Sequence, residues 1–436
     1  AKEEWKDIPL SGVVRLVLRE RLQHLSINAK QTLRAAAVVG VEFSFDYVQI
    51  MLDFAEFDLV AAINELIEKE FITVISQSQH PLEYRFCLTL LRDVVLLEIS
   101  MTEKQILHRR LATHLLEVME SEAMAQQVAD VAFHLGHAGR VKDAFKYWIQ
   151  AADLYVMTGD LINANHAFKN ALQLSQNKNF EITEQELYEL WVGWAELAVI
   201  ENDIQKATGY YQRALQEGLT RNSPILIGSG LSGEGYLYLV RGLPIQASQY
   251  LDRAITLLRD GSVLEYIRAS IRKMLVNMYH FNLTESEQVF DGILWLEDQL
   301  QSPKEFIAYS NARNTIALAK VLMGKFEEAA QLIEKSNQVA HKYNNGVLRM
   351  RNEFALGLSY FYQGMNEKAL EHMGIAINIA ENNYNWRFII ETLSVTSHVH
   401  LAKGKSIASF ECIQNAYNLA KAYQYTGLHG VLINAE

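Results

Sequence analysis

Histidine pairs are the residues of this chain whose type and spacing most suggest metal binding or acid–base chemistry. His134 and His137 lie three positions apart, and His398 and His400 lie two apart. A metal site built on such a pair needs further cysteine or carboxylate ligands at suitable spacing, and neither pair has them. We therefore expect these histidines to be capping, surface or core residues, with no bound metal.

A glycine-rich run is the second candidate for chemistry. Residues 228–235 read Gly-Ser-Gly-Leu-Ser-Gly-Glu-Gly, which superficially resembles a loop that cradles phosphate. Such a loop joins a strand to a helix, whereas this run lies inside a helical pattern. We expect it to pack helices closely, and the sequence contains no GxxxxGK(S/T) motif.

The basic and nucleophilic residues predict no catalytic site. His108, Arg109 and Arg110 form a short basic spot that suits either DNA contact or, as we prefer, a solvated face or a contact to another domain. No Ser/His/Asp or Cys/His grouping is discernible, and scattered carboxylates do not make an acid–base pair. We expect no enzyme activity in this chain and no cofactor bound to it.

The composition indicates that helices carry most of these residues. The 436 residues include five prolines, about a quarter of average usage, and 50% of the chain is hydrophobic. The net charge of −11 argues against nucleic-acid binding, and no apolar run approaches the ~18 residues that span a membrane. Two isolated cysteines and the absence of a signal peptide favour a cytoplasmic fragment of a longer protein.

An internal repeat occupies the second part of the chain. A Gly or Asn recurs every 40–43 residues, with a small residue seven positions before it, another five after it and a large apolar residue nine after it. The fourth unit is degenerate, and we prefer a register one residue before Asn282, which places Ser286 and Phe290 at the small and apolar positions. The Gly or Asn positions are Gly159, Asn202, Gly242, Asn282, Gly324, Gly364 and Gly404.

This repeat resembles the tetratricopeptide repeat, lengthened from its usual 34 residues. Small residues let two antiparallel helices approach closely, and the Gly or Asn between them adopts the left-handed conformation that ends the first helix. The resemblance covers about residues 125–425 and implies a right-handed α-solenoid that binds partners in a groove.

The first 120 residues have a different pattern. Helical segments are expected at 11–25, 28–39, 45–53, 58–70, 88–99 and 103–120. Two β-rich runs at 71–75 and 83–86, separated by a turn at 76–81, predict a small hairpin. Helices combined with such a hairpin describe a winged helix.

Residues 9–26, 35–43, 86–94 and 107–112 resemble the linker and winged helix that follow the nucleotide-binding domain of STAND-type signalling ATPases. The resemblance implies ATP or ADP only in an upstream domain that this chain lacks. In many relatives a His near the end of the wing senses the β-phosphate of ADP. Leu88 occupies that position here, and leucine cannot donate a hydrogen bond to phosphate. The ADP lock is therefore made differently or matters less, and both alternatives are compatible with Leu88 simply packing under the wing.

A candidate binding groove follows from the same resemblance. In tetratricopeptide repeats, first-helix residues 13, 10, 6 and 3 positions before the Gly or Asn face inward, and we call this surface the inner face. Its middle combines Asn and Arg, which suit a carboxylate or phosphate, with aromatic residues that suit an apolar neighbour. An ordinary hydrated groove without a ligand is the alternative. The candidate residues are Tyr236, Arg268 or Arg272 according to register, Asn311, Asn314, Arg351, Phe354 and His398.

The sequence therefore predicts a mainly α protein, with a linker and winged helix over 1–122 and a solenoid over 123–436. We expect the regulatory or sensor arm of a STAND-type ATPase, which binds a protein, a peptide or a small effector and relays that event to a nucleotide-binding domain. A plain tetratricopeptide scaffold and a winged-helix DNA-binding regulator are the alternatives.

Overall fold

The computed structural model describes residues 12–76, 83–119, 123–177, 180–201, 203–383 and 385–423. The predicted turn beyond Ser76, the first residues of the linker and Asn202 lie outside these ranges. The elements up to residue 118 are α1 (Gly12–Gln23), α2 (Ile27–Val39), β1 (Glu42–Ser44), α3 (Phe45–Met51), α4 (Glu56–Glu68), β2 (Ile72–Ser76), β3 (Glu83–Phe86), α5 (Thr89–Glu98) and α6 (Met101–Val118).

Helices alone form the rest of the described chain. They are α7 (Ala125–His137), α8 (Val141–Thr158), α9 (Leu161–Ser175), α10 (Glu184–Ile200), α11 (Ile204–Arg221), α12 (Pro224–Val240), α13 (Pro244–Leu258), α14 (Val263–Tyr279), α15 (Leu283–Asp291), a 3-10 helix (Leu294–Gln299), α16 (Pro303–Leu322), α17 (Phe326–Lys342), α18 (Gly346–Tyr362), α19 (Asn366–Asn382), α20 (Trp386–Ala402) and α21 (Ser406–Ala422). None of the described helices is long and apolar enough to cross a membrane.

The chain divides into two compact units. One comprises Ala1–Ala151 with Lys169–Glu181, and the other comprises Ala152–Phe168 with Ile182–Glu436. The first contains a three-stranded antiparallel sheet in the order β1-β3-β2, in which Phe43 faces Tyr84 and Val74 also faces Tyr84. The two strands expected from the sequence are present. Strand β1 was not expected, because an alternating pattern of three residues is too short to stand out and its partner β3 is distant in sequence.

Leu88 does not pack under the sheet. It is the residue immediately before α5, has extended backbone angles and leaves 52% of its surface exposed. The apolar side chain therefore lies open at the end of β3, so the packing expected for it is wrong.

Left-handed residues end the first helices of the repeats, as the repeat pattern predicts. Gly159, Gly242, Gly324, Gly364 and Gly404 all have φ between 69° and 82°. A residue with a side chain pays a steric cost in this conformation, which explains the recurrence of glycine.

The degenerate unit follows the preferred register. Phe281, one residue before Asn282, is the left-handed residue with φ of 57°. Ser286 and Phe290 are buried at the small and apolar positions. Because an aromatic residue replaces glycine at the turn, the sequence pattern alone obscured this unit.

The glycine-rich run lies within α12 and packs against neighbouring helices. A Cβ added at Gly233 would lie 2.2 Å from the Tyr211 ring, and one at Gly235 would lie 2.9 Å from Cγ of Leu251. At Gly228 the nearest atom would be Cγ of Leu258, at 2.6 Å. Close helix packing, and not phosphate binding, therefore accounts for these glycines.

We expect Gly233→Ala to lower the free energy of unfolding by about 1–3 kcal/mol, since the added methyl overpacks the Tyr211 ring. Gly209→Ala in α11 is the matched control, because nothing lies within 4 Å of the added Cβ. This control gains helix propensity and is expected to stabilise by up to about 1 kcal/mol. Urea denaturation measures both changes, and equal effects at the two positions would contradict the packing account.

Candidate functional site

The inner face lies on the first helix of each pair. These helices are α8, α10, α12, α14, α16, α18 and α20. Most of its polar residues contact one another between repeats. Some of the side chains that the sequence predicted to meet a ligand therefore bond to other residues of the array, whereas others remain exposed.

Arg272 is the centre of a buried polar cluster on α10, α11, α12 and α14. Its guanidinium pairs with Glu196 at 2.5 Å and donates to the Ser232 hydroxyl at 2.9 Å. The Tyr211 hydroxyl donates to the same Glu196 oxygen at 2.7 Å. Burial alone would raise the pKa of Glu196, but Arg272, Arg268 and the Tyr211 hydroxyl outweigh it and hold that pKa at about 2. This cluster is a satisfied ion pair that joins three repeats.

Arg268 belongs to a second cluster, with Glu265 and Tyr188. Its guanidinium and the Tyr188 hydroxyl both donate to Oε1 of Glu265, at 2.6 and 2.7 Å. Glu265 is completely buried, and its Oε2 has no hydrogen-bond partner. Arg268 and Arg272 are thus both inner-face residues, although the sequence presented them as alternatives.

Two contacts join parts of the array that are far apart in sequence. The Tyr236 hydroxyl on α12 accepts a hydrogen bond of 2.8 Å from Arg387 on α20, 151 positions away. Asp153 on α8 forms an ion pair with Lys304 on α16 across the same sequence separation. The first helices therefore face one another, and Tyr236 serves as a bridging residue.

Arg351 differs from the other inner-face arginines. Arg268, Arg272 and Arg387 each pair with a carboxylate, the last with Glu391 at 3.0 Å. Arg351 forms no ion pair with any described residue, and donates instead to Oδ1 of Asn311 at 3.1 Å. The side chain is exposed, and desolvation by the surrounding protein lowers its pKa. Arg387 adds to this lowering, whereas Tyr236 and the more distant Glu391 carboxylate oppose it. A guanidinium remains charged under these conditions.

Phe354 lies one turn along α18 from Arg351. Its ring contacts Phe388 of α20 edge-on, with centroids 5.4 Å apart. Arg351, Asn311, Phe354 and Phe388 form what we call the Arg351 site, in which a charged fork and an amide lie beside an aromatic pair.

Asn314 and His398 take other roles. Asn314 is buried and donates to Asn352, which also accepts from Ser336 and donates to Asn337. His398 Nδ1 lies 2.9 Å from the Ser394 carbonyl oxygen of its own helix. Asn314 is therefore engaged in a polar network between repeats.

Several residues of these clusters were not expected. Tyr188 stands next to a position of the inward register, and Glu265 and Arg387 lie one helical turn before its first position, on the same face. The signal that would have revealed them is the occurrence of charged or hydroxyl-bearing residues between apolar positions of first helices.

A histidine cluster joins α6 to α7 in the first unit. His108 and His134 are both buried, and their Nδ1 atoms lie 2.8 Å apart, while the His137 ring stacks on His108 at 4.8 Å. The described residues contain no group of three or more histidine, cysteine or carboxylate side chains arranged to hold a metal ion. The expectation of a solvated basic spot at His108 is wrong, because this ring is part of the packed interface.

This cluster predicts a loss of stability in mild acid. Burial lowers the pKa of His108 to about 3 and that of His134 to about 4, with neighbouring histidines, Lys104 and Arg92 adding to the effect at His108. Unfolded histidine titrates near 6.5, so the unfolded state binds more protons between about pH 4 and 6.5 and stability falls as pH falls through that window.

We expect His134→Gln to reduce the slope of stability against pH by about 1 kcal/mol per pH unit in this window. The exposed His166→Gln is the control and should leave the slope unchanged. Urea denaturation from pH 7 to 4.5 measures both. Identical slopes in the wild type and His134→Gln would refute the contribution of the cluster.

Comparison with known proteins establishes the fold. No family model matches the chain. An uncharacterized protein of Rhizobium meliloti (strain 1021) is 30% identical over 161 residues, which is 36% of this chain and 15% of that protein. The match therefore spans a small part of the relative's length.

Three solved structures resemble most or nearly all of the chain. A STAND protein with a tetratricopeptide repeat sensor from Pyrococcus horikoshii matches 98% of this chain and 62% of its own, with 15% identity and a TM-score of 0.59. The Rap conjugation gene regulator of the plasmid pLS20, in complex with the Phr* peptide, matches 94% of this chain and 99% of its own, with 15% identity and a TM-score of 0.56. A Rap protein complexed with competence and sporulation factor matches 74% of this chain and 94% of its own, with 12% identity and a TM-score of 0.51. The described helices thus form an α-solenoid of the tetratricopeptide-repeat type.

Proposed function

We propose that the array binds a peptide, or an extended segment of a partner protein, at the Arg351 site. The observation that carries this proposal is the missing carboxylate partner of Arg351 among the described residues, beside three inner-face arginines that each have one. A guanidinium that forms no ion pair can bind an anionic ligand without first giving up a bound carboxylate.

The chemistry of the site suits a carboxylate with an apolar neighbour. A guanidinium presents a planar fork that binds both oxygens of a carboxylate. Asn311 already orients this fork through its Oδ1. The Phe354–Phe388 pair offers an aromatic surface for the residue next to the carboxylate. An acidic side chain or a peptide's C-terminal carboxylate meets these requirements, and a small carboxylate effector shares them.

The similar Rap structures support a peptide ligand. One is a complex with the Phr* peptide and another a complex with competence and sporulation factor. Their identities of 15% and 12% show a shared fold, so the ligand of this chain is our proposal and rests on the Arg351 site.

Selection from a random peptide library tests the proposal. The wild-type chain serves as bait, and the library is first depleted on Arg351→Ala. We expect the retained peptides to be rich in acidic residues or to require a free C-terminal carboxylate. Retained peptides without any carboxylate dependence, or none that prefer the wild type, would refute the peptide site.

We also propose that the chain is the regulatory arm of a STAND-type signalling ATPase. The similarity to the Pyrococcus horikoshii protein across 98% of this chain supports the assignment, as does a first unit whose helices and three-stranded sheet suit a winged helix. In this proposal a nucleotide-binding domain upstream binds ATP or ADP, and ligand binding to the array relieves its inhibition. A plain binding scaffold would not respond to nucleotide.

Leu88 provides a test of that role in the longer parent protein. Leu88→His restores a donor to the β-phosphate, and we expect ADP release to slow by about tenfold, the value of one charge-assisted hydrogen bond. The control is Leu97→His, an exposed leucine of α5, the helix that follows Leu88. Release of a fluorescent ADP analogue measures the rate, and unchanged release in Leu88→His would remove the nucleotide-sensor assignment.

A further inference from the structure

A cavity of about 650 Å³ lies within the second unit, apart from the Arg351 site. Its walls come from the turn between α8 and α9, the end of α10, the start of α20 and the residue after α21. The backbone of Gly159 in that turn approaches Asn383, whose Cα would lie 3.8 Å from an added Cβ. The cavity is therefore enclosed by segments from the first and the last repeats of this unit. Its volume is in the range of small-molecule sites.

One side of the cavity is apolar and aromatic. Trp386 and Tyr423 stack with ring centroids 4.8 Å apart and planes inclined by 11°. Leu161, Ile200 and Ile390 add further apolar surface to the lining. Tyr423 and Ile200 each leave 46% of their surface exposed. Large apolar side chains that stay this exposed around a cavity indicate a binding surface.

The lining also contains two carboxylates, Asp160 and Glu201. Asp160 accepts hydrogen bonds from the backbone N–H and the side-chain amide of Asn163, at 3.1 and 2.7 Å. Glu201 accepts one from the Asn165 amide at 2.6 Å. Among the residues that the structure describes, neither carboxylate has an ion-pair partner.

The charge balance of the cavity is negative. Arg387 also lines it, but its charge is offset by the ion pair with Glu391. Burial raises the pKa of Glu201 more than the Asn165 bond and Lys206 lower it, so a cation beside this carboxylate would gain from its ionised form. Carboxylates and aromatic rings that line one cavity suit an organic cation, because the rings also attract positive charge.

We propose that this cavity binds a small organic ammonium ion, whose charge lies at Glu201 and Asp160 and whose apolar body contacts Trp386 and Tyr423. The ligand requires one protonated amine and an alkyl or aryl body. The residues that would hold the ammonium ion are different from those of the Arg351 site, which selects the opposite charge.

Three probes of similar shape test the proposal by isothermal titration calorimetry: 4-phenylbutylamine, 4-phenylbutanol and 4-phenylbutyrate. We expect the amine to bind at least about tenfold more tightly than the alcohol or the carboxylate, since one charge-assisted contact contributes about 1.5–3 kcal/mol. Equal binding of the three probes, or no binding of the amine, would overturn the proposal.

Two variants locate the site. Glu201→Gln keeps an acceptor for Asn165 but removes the charge, and Trp386→Leu keeps an apolar wall but removes the ring. Each variant should lower the affinity for 4-phenylbutylamine about tenfold or more. Glu411→Gln, an exposed carboxylate on α21, is the matched control and should bind as the wild type does. Unchanged affinity for the amine in Glu201→Gln would exclude this cavity as its binding site. Because Arg351→Ala should leave amine binding unaffected, failure here is distinguishable from failure of the peptide site.

Discussion

Replacing Arg272 by alanine is expected to lower the free energy of unfolding by about 3–5 kcal/mol, the largest stability effect in the array. The side chain is 9% exposed and pairs with Glu196 at 2.5 Å. Its removal leaves Glu196 without its cation, and leaves the Ser232 and Tyr211 hydroxyls without a shared partner. Urea denaturation at pH 7 measures the change.

A surface ion pair supplies the control for Arg272. Arg213 is 52% exposed and lies 3.8 Å from Glu217 on the same helix, so Arg213→Ala should cost less than about 1 kcal/mol. A loss at Arg272 no larger than the loss at Arg213 would contradict the buried cluster.

The pH dependence of the Arg272 variant gives a second readout. The pKa of Glu196 is about 2 in the folded protein, below its unfolded value of about 4.3. The pair therefore stabilises the fold above the unfolded pKa and loses this contribution as pH falls towards 2. We expect the difference between the wild type and Arg272→Ala to narrow below about pH 4.

Arg351→Ala is expected to lower the affinity for a selected carboxylate-bearing peptide by roughly ten- to a hundredfold. The substitution removes the charge-assisted hydrogen bonds between the guanidinium and the carboxylate. Arg351→Lys should restore part of the affinity, since lysine keeps the charge but lacks the planar fork. Fluorescence anisotropy with a labelled peptide measures the affinity. The variant should fold normally, because the described hydrogen bond of this exposed arginine is the one to Asn311.

Arg349 is the matched control for charge on the same helix. It is exposed and lies two positions from Arg351, so it projects from a different side of α18. Arg349→Ala should retain the affinity of the wild type. An equal loss in both variants would mean that general electrostatic attraction, and not the Arg351 site, binds the peptide.

Much of the fold could be predicted from residue spacing because the constraint at each repeat is local. A left-handed turn and a close helix approach each require a small residue at one position, as at Gly324 and Ala317. The repeat pattern became ambiguous at Phe281, which adopts the left-handed conformation that glycine usually provides. Tertiary packing overrides the local preference for glycine at this turn. Strand β1 was missed for a similar reason, because its pairing partner is distant in sequence.

The site was less predictable, because the repeat spacing predicts which residues face inward but not which side chains they contact. Arg351 and Asn314 occupy comparable positions, yet Arg351 has no carboxylate partner among the described residues while Asn314 is buried against Asn352. Which polar residue stays available depends on its neighbours in adjacent repeats. The bridge between Tyr236 and Arg387 likewise depends on how far the array curves, which no single repeat encodes.

Hydrogen–deuterium exchange with a selected peptide bound shows which helices of the array contact the peptide. The inner-face account predicts slower exchange in the first helices α16, α18 and α20, which carry Asn311, Arg351 and Phe388, with no change in the second helices α17, α19 and α21. Protection confined to the second helices, or to the N-terminal unit, would contradict a ligand held on the inner face.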